Sequence, residues 1–171
     1  MQDISSWHDY FVMVGGGSAA LTGLIFVAMT LHLDEITTNP VHRHRARTIL
    51  MGLTAVFIRC GLVLMGGQNF QAVALEIIVV LTVVEFLLYS SIRQAMSSAD
   101  RGVLLRTLGS FACLLLEEAG AIVLFFGHAW GLYIVGLGMM SSFIFMVTGA
   151  WLLLVGVGTM EAAGARSSAG R

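Results

Sequence analysis

The sequence is short of charge, and it lacks lysine altogether. Only 11% of its 171 residues are charged, whereas a typical soluble domain has about 25%. A soluble chain of this length would need a large polar surface, which these residues cannot supply. The composition therefore excludes a folded soluble domain and indicates that a lipid bilayer is the solvent for most of the chain. No nucleic-acid partner is expected.

Motifs that indicate enzyme chemistry are also missing. The two cysteines, Cys60 and Cys113, lie in apolar stretches and indicate neither a disulfide framework nor a CxxC site. The three glycines at residues 15–17 are not followed by the Gly-Lys-Ser/Thr of a phosphate-binding loop. The sequence also contains no HExxH motif and no recognisable Ser-His-Asp arrangement. We therefore expect neither an enzyme nor a bound cofactor.

Apolar residues make up 57% of the chain, and they are grouped into long runs. A membrane-spanning helix needs about 20 consecutive residues of this kind. Five stretches meet the requirement, so the sequence predicts an all-α, polytopic transmembrane bundle of about five helices. The predicted spans cover residues 11–33, 48–66, 72–92, 107–127 and 130–158.

Arginine positions predict the orientation of these helices. The loops after the first and third helices and the C-terminal tail carry every arginine but one, and the other loops carry none. Since positively charged loops stay in the cytoplasm, the N-terminus is predicted outside and the C-terminus inside a bacterial cytoplasmic membrane. Residues 1–10 then form an outer interfacial segment, residues 11–158 the transmembrane domain and residues 159–171 a mobile cytoplasmic tail. Three arginines are expected to contact anionic lipid: Arg43, Arg45 and Arg47.

Ionisable side chains inside a bilayer cost free energy, so those found there are candidates for function. Five fall at membrane depth: Arg59, Glu76, Glu85, Glu117 and Glu118. At about 1.5 Å per residue, Arg59 and the adjacent Glu117 and Glu118 reach the same level, near the bilayer midplane. We predict that Arg59 pairs with one of these glutamates, because a guanidinium binds a carboxylate in a two-pronged fashion. Such a pair is either part of an ion path or a structural lock between two helices.

The remaining carboxylates need other surroundings. Glu117 and Glu118 point about 100° apart on a helix, so the one that does not face Arg59 faces a second partner, a neighbouring subunit or a wet cavity. Nine residues separate Glu76 from Glu85, so the two are predicted to face opposite sides of their helix and to form no cluster within one subunit. Glu76 is close enough to the outer surface to reach the interface.

Small residues indicate where helices pack closely. Gly15, Ala19 and Gly23 recur at four-residue spacing on the first helix, and part of the fifth helix also carries small residues, among them Gly138 and Ser142. Such seams bring helix backbones together, either inside one subunit or between subunits.

A metal site is a weak alternative for the outer face. His8, Asp9 and His128 are all predicted on that side, and histidine and aspartate are metal ligands. Their spacing matches no established motif, so no metal is expected.

The opening of the chain resembles a known family. The run WHDYF at residues 7–11 and the run GGGSAALTGLIFVAM at residues 15–29 are similar to small polytopic membrane proteins common in actinobacteria. Some members of that family carry the automatic label modulator of the FtsH protease. The resemblance implies no catalytic residues. Residues 18–34 also resemble the pore helix of Orai calcium channels. The sequence departs from that family at Leu31 and His32, which stand where its selectivity glutamate is expected, and the predicted direction of the helix is opposite.

These features favour a homo-oligomer that conducts or relays protons or small cations through membrane carboxylates. Five helices make a thin wall for a transporter that rocks two halves around a site, so a pore between subunits is expected. Two alternatives stay open. One is a regulatory or assembly subunit of a larger membrane complex, such as a membrane protease, and the other is a membrane redox subunit.

Reporter fusions test the predicted orientation. An alkaline phosphatase domain, which is active only outside the cytoplasm, is expected to be inactive when fused after Arg171. A fluorescent protein fused at the same position serves as the control and should be bright. An active phosphatase would contradict the orientation.

Overall fold

The computed structural model describes residues 4–38, 40–97 and 101–169, and within these ranges it contains helices and no strand. The predicted all-α fold is therefore confirmed. A short 3-10 helix precedes the α-helices of the described chain. In order, the elements are the 3-10 helix Ile4–Trp7, α1 His8–Leu31, α2 Leu33–Thr38, α3 Pro40–Leu64, α4 Phe70–Ser97, α5 Arg101–Phe125 and α6 Gly131–Ala169.

Five helices of the described chain are long and apolar enough to cross a membrane. This confirms the prediction of five spanning helices by length and composition, while their orientation stays a prediction. α2 has 6 residues and is too short to span, so it serves to join α1 to α3. The apolar spans are His8–Leu31, Arg45–Leu64, Phe70–Tyr89, Leu108–Phe125 and Gly131–Leu153.

Two turns at the same end of the bundle depend on glycine. Gly66 and Gly127 follow α3 and α5 with φ of +71° and +86°, a left-handed conformation that glycine adopts without steric cost. The side chain of Asn69 then accepts a hydrogen bond from the backbone N–H of Ala72 at 2.8 Å, which caps the start of α4. The glycines and the asparagine cap thus form the two short, arginine-free turns, between α3 and α4 and between α5 and α6.

Four of the helices form a closed ring. α3 packs against α4, α4 against α5, α5 against α6, and α6 against α3. α1 lies outside this ring, mainly against α3 and to a smaller extent against α6. α3 and α5 are therefore diagonal to each other, and a side chain that points inward from either helix enters the centre of the bundle.

Two apolar clusters fill the interior. The larger one lies toward the end with the short turns, and it includes the fully buried Phe11 and Leu132. The smaller one lies toward the opposite end, where Ile36 of α2 packs with Ile49 and Leu153. The outward faces are apolar as well, with exposed fractions such as 78% for Phe86. Exposed apolar surface all around a bundle is what lipid-facing helices present, so the fold suits an integral membrane protein.

Glycines let α5 and α6 pack backbone to backbone. A Cβ at Gly120 would lie 2.7 Å from the backbone nitrogen of Val135, which is too close for any other residue without a shift of the helices. On α1, a Cβ at Gly15 would lie 2.9 Å from the Cβ of Cys60 on α3. Of the two predicted alternatives, packing inside one subunit or between subunits, Gly15 therefore shows packing inside one subunit.

The other two members of the expected α1 seam do not pack within the chain. Ala19 and Gly23 are exposed, and a Cβ at Gly23 would meet open space. Positions four residues apart drift by about 40° around a helix, so a straight neighbour such as α3 loses them after one step. For Ala19 and Gly23, the alternative of contact between subunits stays a prediction. The buried neighbour of Gly15 is Ser18, whose hydroxyl donates to the carbonyl oxygen of Leu53 at 2.6 Å.

Both ends of the described chain are helical. The 3-10 helix packs through Ile4 and Trp7 against the larger apolar cluster. α6 continues to Ala169, past the predicted end of the last span at residue 158. The segment 159–171 thus begins as helix, and its predicted mobility stays a prediction. Residues 1–3 and 170–171 lie outside the described ranges.

Substitution of Gly120 by alanine tests the close α5–α6 contact. Its Cβ would force the two helices apart, and overpacking of this kind costs about 1–3 kcal/mol. We expect a lower melting temperature for Gly120→Ala in detergent. Gly23→Ala is the matched control, because its Cβ meets open space and alanine favours helix by up to about 1 kcal/mol. Equal melting temperatures for the two variants would contradict the packing.

Candidate functional site

A buried ion pair occupies the centre of the bundle. Nη1 of Arg59 on α3 lies 3.0 Å from Oε1 of Glu117 on α5, and the two side chains are 1% and 0% exposed. The predicted pairing of Arg59 with one of the two adjacent glutamates is thus present, and Glu117 is the partner. Because α3 and α5 are diagonal in the ring, the pair crosses its centre.

Both charged residues stand within otherwise apolar stripes. On α3, Val56 and Val63 lie one turn to either side of Arg59 and are buried. On α5, Ala121 lies one turn beyond Glu117 and is fully buried. Helix periodicity therefore turns the two charges toward the core, where each has the other as its electrostatic partner.

A glycine on α6 provides room for the carboxylate. A Cβ at Gly138 would lie 2.8 Å from the Cβ of Glu117 and 3.0 Å from its backbone nitrogen. Any larger residue would displace α5 and with it the carboxylate. The predicted packing role of Gly138 therefore serves the charge pair directly.

Hydrogen bonding around the pair is incomplete within the protein. The 3.0 Å contact has the distance of an ion pair, but its angles are not those of a hydrogen bond, so both oxygens of Glu117 lack a protein hydrogen-bond partner. Nε of Arg59 and Oγ of Ser142, which is 2% exposed, lack one as well. Buried polar atoms without partners are costly, typically by about 1–3 kcal/mol each.

Aromatic side chains close the nearby end of the bundle. The hydroxyl of Tyr10 donates to the carbonyl oxygen of Gly136 on α6 at 2.7 Å. Trp7 meets the rings of Tyr10 and Tyr133 edge to face, with centroid distances of 5.6 and 4.7 Å. Tyr10 is also close enough to Glu117 to interact with it electrostatically. This aromatic cap, made of Trp7, Tyr10 and Tyr133, ties α1 to α6 above the charge pair.

A second pair of carboxylates lies on the neighbouring helices. Glu118 follows Glu117 on α5 and is half-buried, and it lies near the half-buried Glu85 of the neighbouring α4. Oε1 of Glu85 is buried and has no protein hydrogen-bond partner. Among the described side chains, neither residue forms an ion pair with a base. Whether Glu118 faces a second partner, a neighbouring subunit or a wet cavity stays a prediction.

Glu76 lies apart from these groups, as its spacing from Glu85 predicts. It is half-buried near the α3–α4 turn, where its Oε1 accepts a hydrogen bond from Nε2 of Gln68 at 2.9 Å. The interaction fixes the carboxylate beside the turn rather than at the bundle centre.

The candidate metal ligands do not assemble. Nδ1 of His8 lies 3.4 Å from Oδ1 of Asp9, and both side chains are exposed. The ring of His128 instead contacts that of Trp130. Within the described residues, no group of three His, Cys, Asp or Glu side chains could hold a metal ion.

The arginines proposed for lipid contact lie on the first turns of α3. Arg43 and Arg47 are exposed, and Arg45 is half-buried. They are thus available on the surface, and their contact with anionic lipid stays a prediction.

Sequence reasoning missed several members of the site. Tyr10 and Gln68 carry polar atoms that reach the core or its edge, yet neither is in a motif. Ser142 was identified as a packing residue, whereas its buried hydroxyl is part of the polar centre. The available signal for Ser142 was its position one turn from Gly138, on the same face of α6.

No family model, curated protein or solved structure matches this chain. The geometry of the site is therefore what bears on its function.

Neutralising one member of the central pair should destabilise the fold strongly. Glu117→Gln leaves Arg59 buried without a counter-charge, a change that costs about 3–5 kcal/mol. We expect Glu117→Gln to melt well below the wild type in detergent. Glu76→Gln is the matched control, because glutamine can still accept the hydrogen bond from Gln68, and it should melt close to the wild type. A small and equal effect of both changes would contradict the burial of the pair.

Proposed function

We propose that this protein is a homo-oligomer that relays protons or small cations across a bacterial cytoplasmic membrane through its membrane carboxylates. The observation that carries the proposal is the adjacency of Glu117 and Glu118. The first points into the bundle against Arg59, and the second lies near Glu85 of the neighbouring α4. Two consecutive residues thus link a buried charge centre with a pair of carboxylates nearer to the surface.

The chemistry of the Glu85–Glu118 pair supports proton or cation binding. Two nearby carboxylates in an apolar environment repel each other when both are charged, so binding a proton or a cation lowers the cost of burying them. Neither has a basic partner among the described side chains. A proton held in this way is exchangeable with any water that reaches the pair, which is the property a relay requires.

A second copy of the chain would complete the path. Glu85 and Glu118 are half-buried, so one side of the pair faces away from the bundle. Ionisable groups at membrane depth are expected to face a bundle interior or a water-filled cavity rather than lipid. Contact between subunits along α4 and α5 would bring the carboxylates of neighbouring copies together and enclose them.

A second candidate is a non-enzymatic regulatory or assembly subunit of a larger membrane complex. The balanced charges of Arg59 and Glu117 favour it, because an internally compensated pair is sufficient to lock two helices together without carrying any ion. On this proposal the protein carries no flux, and it co-purifies with a larger membrane partner. We propose no catalytic role under either candidate.

Ion flux through purified protein in liposomes separates the two candidates. Proton flux and a panel of small cations would be measured for wild type, Glu85→Gln and Glu118→Gln. These changes remove one charge from a half-buried pair, so the variants are expected to fold while flux falls to that of empty liposomes. Asp9→Asn is the matched control, because it makes the same chemical change at a fully exposed side chain.

Two outcomes would contradict the relay. One is flux that persists in both glutamine variants. The other is that folded wild-type protein carries no flux of any ion. That result would favour the regulatory or assembly subunit.

A further inference from the structure

The hydroxyl of Ser142 differs in its hydrogen bonding from other hydroxyls in the transmembrane helices. Thr22, Thr82 and Ser141 each donate to the carbonyl oxygen four residues earlier, at 2.8 Å, which is the usual way to satisfy a hydroxyl inside a helix. Ser142 does not do so, and its buried Oγ has no protein partner. The hydroxyl is thus directed into the bundle rather than back to its own helix.

Helix direction brings Ser142 toward the charge pair. Side chains lean toward the N-terminus of their own helix. Arg59 and Glu117 therefore lean toward the end of the bundle where α3 and α5 begin, whereas Ser142 on the antiparallel α6 leans the other way. Gly138, one turn before Ser142, faces the Cβ of Glu117. Ser142, on the same face of α6 as Gly138, is therefore expected near the level of the Arg59–Glu117 pair.

We propose that Arg59, Glu117 and Ser142 line a small binding site for water molecules at the centre of the bundle. Together they offer both donors, at Nε of Arg59 and Oγ of Ser142, and acceptors, at the two oxygens of Glu117. The opposite charges of the pair favour neither an anion nor a cation, so a neutral ligand that donates and accepts is the best fit. Buried water in proteins typically makes about 3 hydrogen bonds of this kind.

This site does not depend on ion flux. Bound water would satisfy the polar centre equally well in a relay and in a structural subunit. A relay would use the water as its link between Glu117 and bulk solvent. Absence of ion flux would therefore not contradict the proposed water site. A dry centre would not contradict the proposed role of the Glu85–Glu118 pair.

Thiol hydrogen exchange tests the hydration of the site. In a background with Cys60→Ala and Cys113→Ala, Ser142→Cys would place an S–H group at the site, and its infrared band would be followed after transfer into D2O. We expect this band to disappear at least about tenfold faster than that of Met139→Cys, since exchange requires contact with water. Met139 is on the same helix, is 0% exposed and lies in the apolar cluster, so it is the dry control. Equal exchange rates would overturn the proposal.

A smaller change decides the question if the cysteine variant does not fold. Ser142→Ala removes only the hydroxyl. In a hydrated site the hydroxyl is satisfied, so its loss leaves the melting temperature unchanged or lower. In a dry site the hydroxyl is an unsatisfied polar group, so its removal raises the melting temperature, and that result would overturn the proposal.

Discussion

The requirement that Arg59 and Glu117 stay together, away from lipid, is the constraint on which the rest of the bundle depends. A single charge at the centre of a bilayer costs at least about 2.5–3.5 kcal/mol, so each residue needs the other. Since the pair joins helices that are diagonal in the ring, it fixes both the depth and the rotation of α3 and α5. Gly138 then has to be small, because the carboxylate-bearing segment of α5 lies against it.

The position of the Glu85–Glu118 pair follows from that of the Arg59–Glu117 pair. Once Glu117 points to the centre, the helical rotation of about 100° per residue turns Glu118 to the side of α5. α4 packs against α5 and carries Glu85, which lies near Glu118. A charge-compensated centre and an uncompensated acidic pair are thus produced by two adjacent residues. The centre suits a structural or hydrated role, whereas the acidic pair is where a proton or cation would be held.

Hydropathy and depth predicted most of the fold and part of the site. Runs of about 20 apolar residues identified the spans, and equal depth predicted that Arg59 meets Glu117 or Glu118. The choice between the two glutamates depends on the rotation of α5, which is set by contacts such as Gly120 with Val135. Those contacts, like the exposure of Gly23, depend on which helices are neighbours. The spacing of apolar and small residues along the sequence does not say which helices these are.

The direct test of the central claim is the double variant Arg59→Met with Glu117→Leu, compared with each single change by thermal unfolding in detergent. If the two charges compensate each other, the double variant recovers most of the stability that either single variant loses, because no buried charge is left without a partner. If the losses of the single variants simply add in the double variant, the two residues are independent and the account of the bundle centre is contradicted.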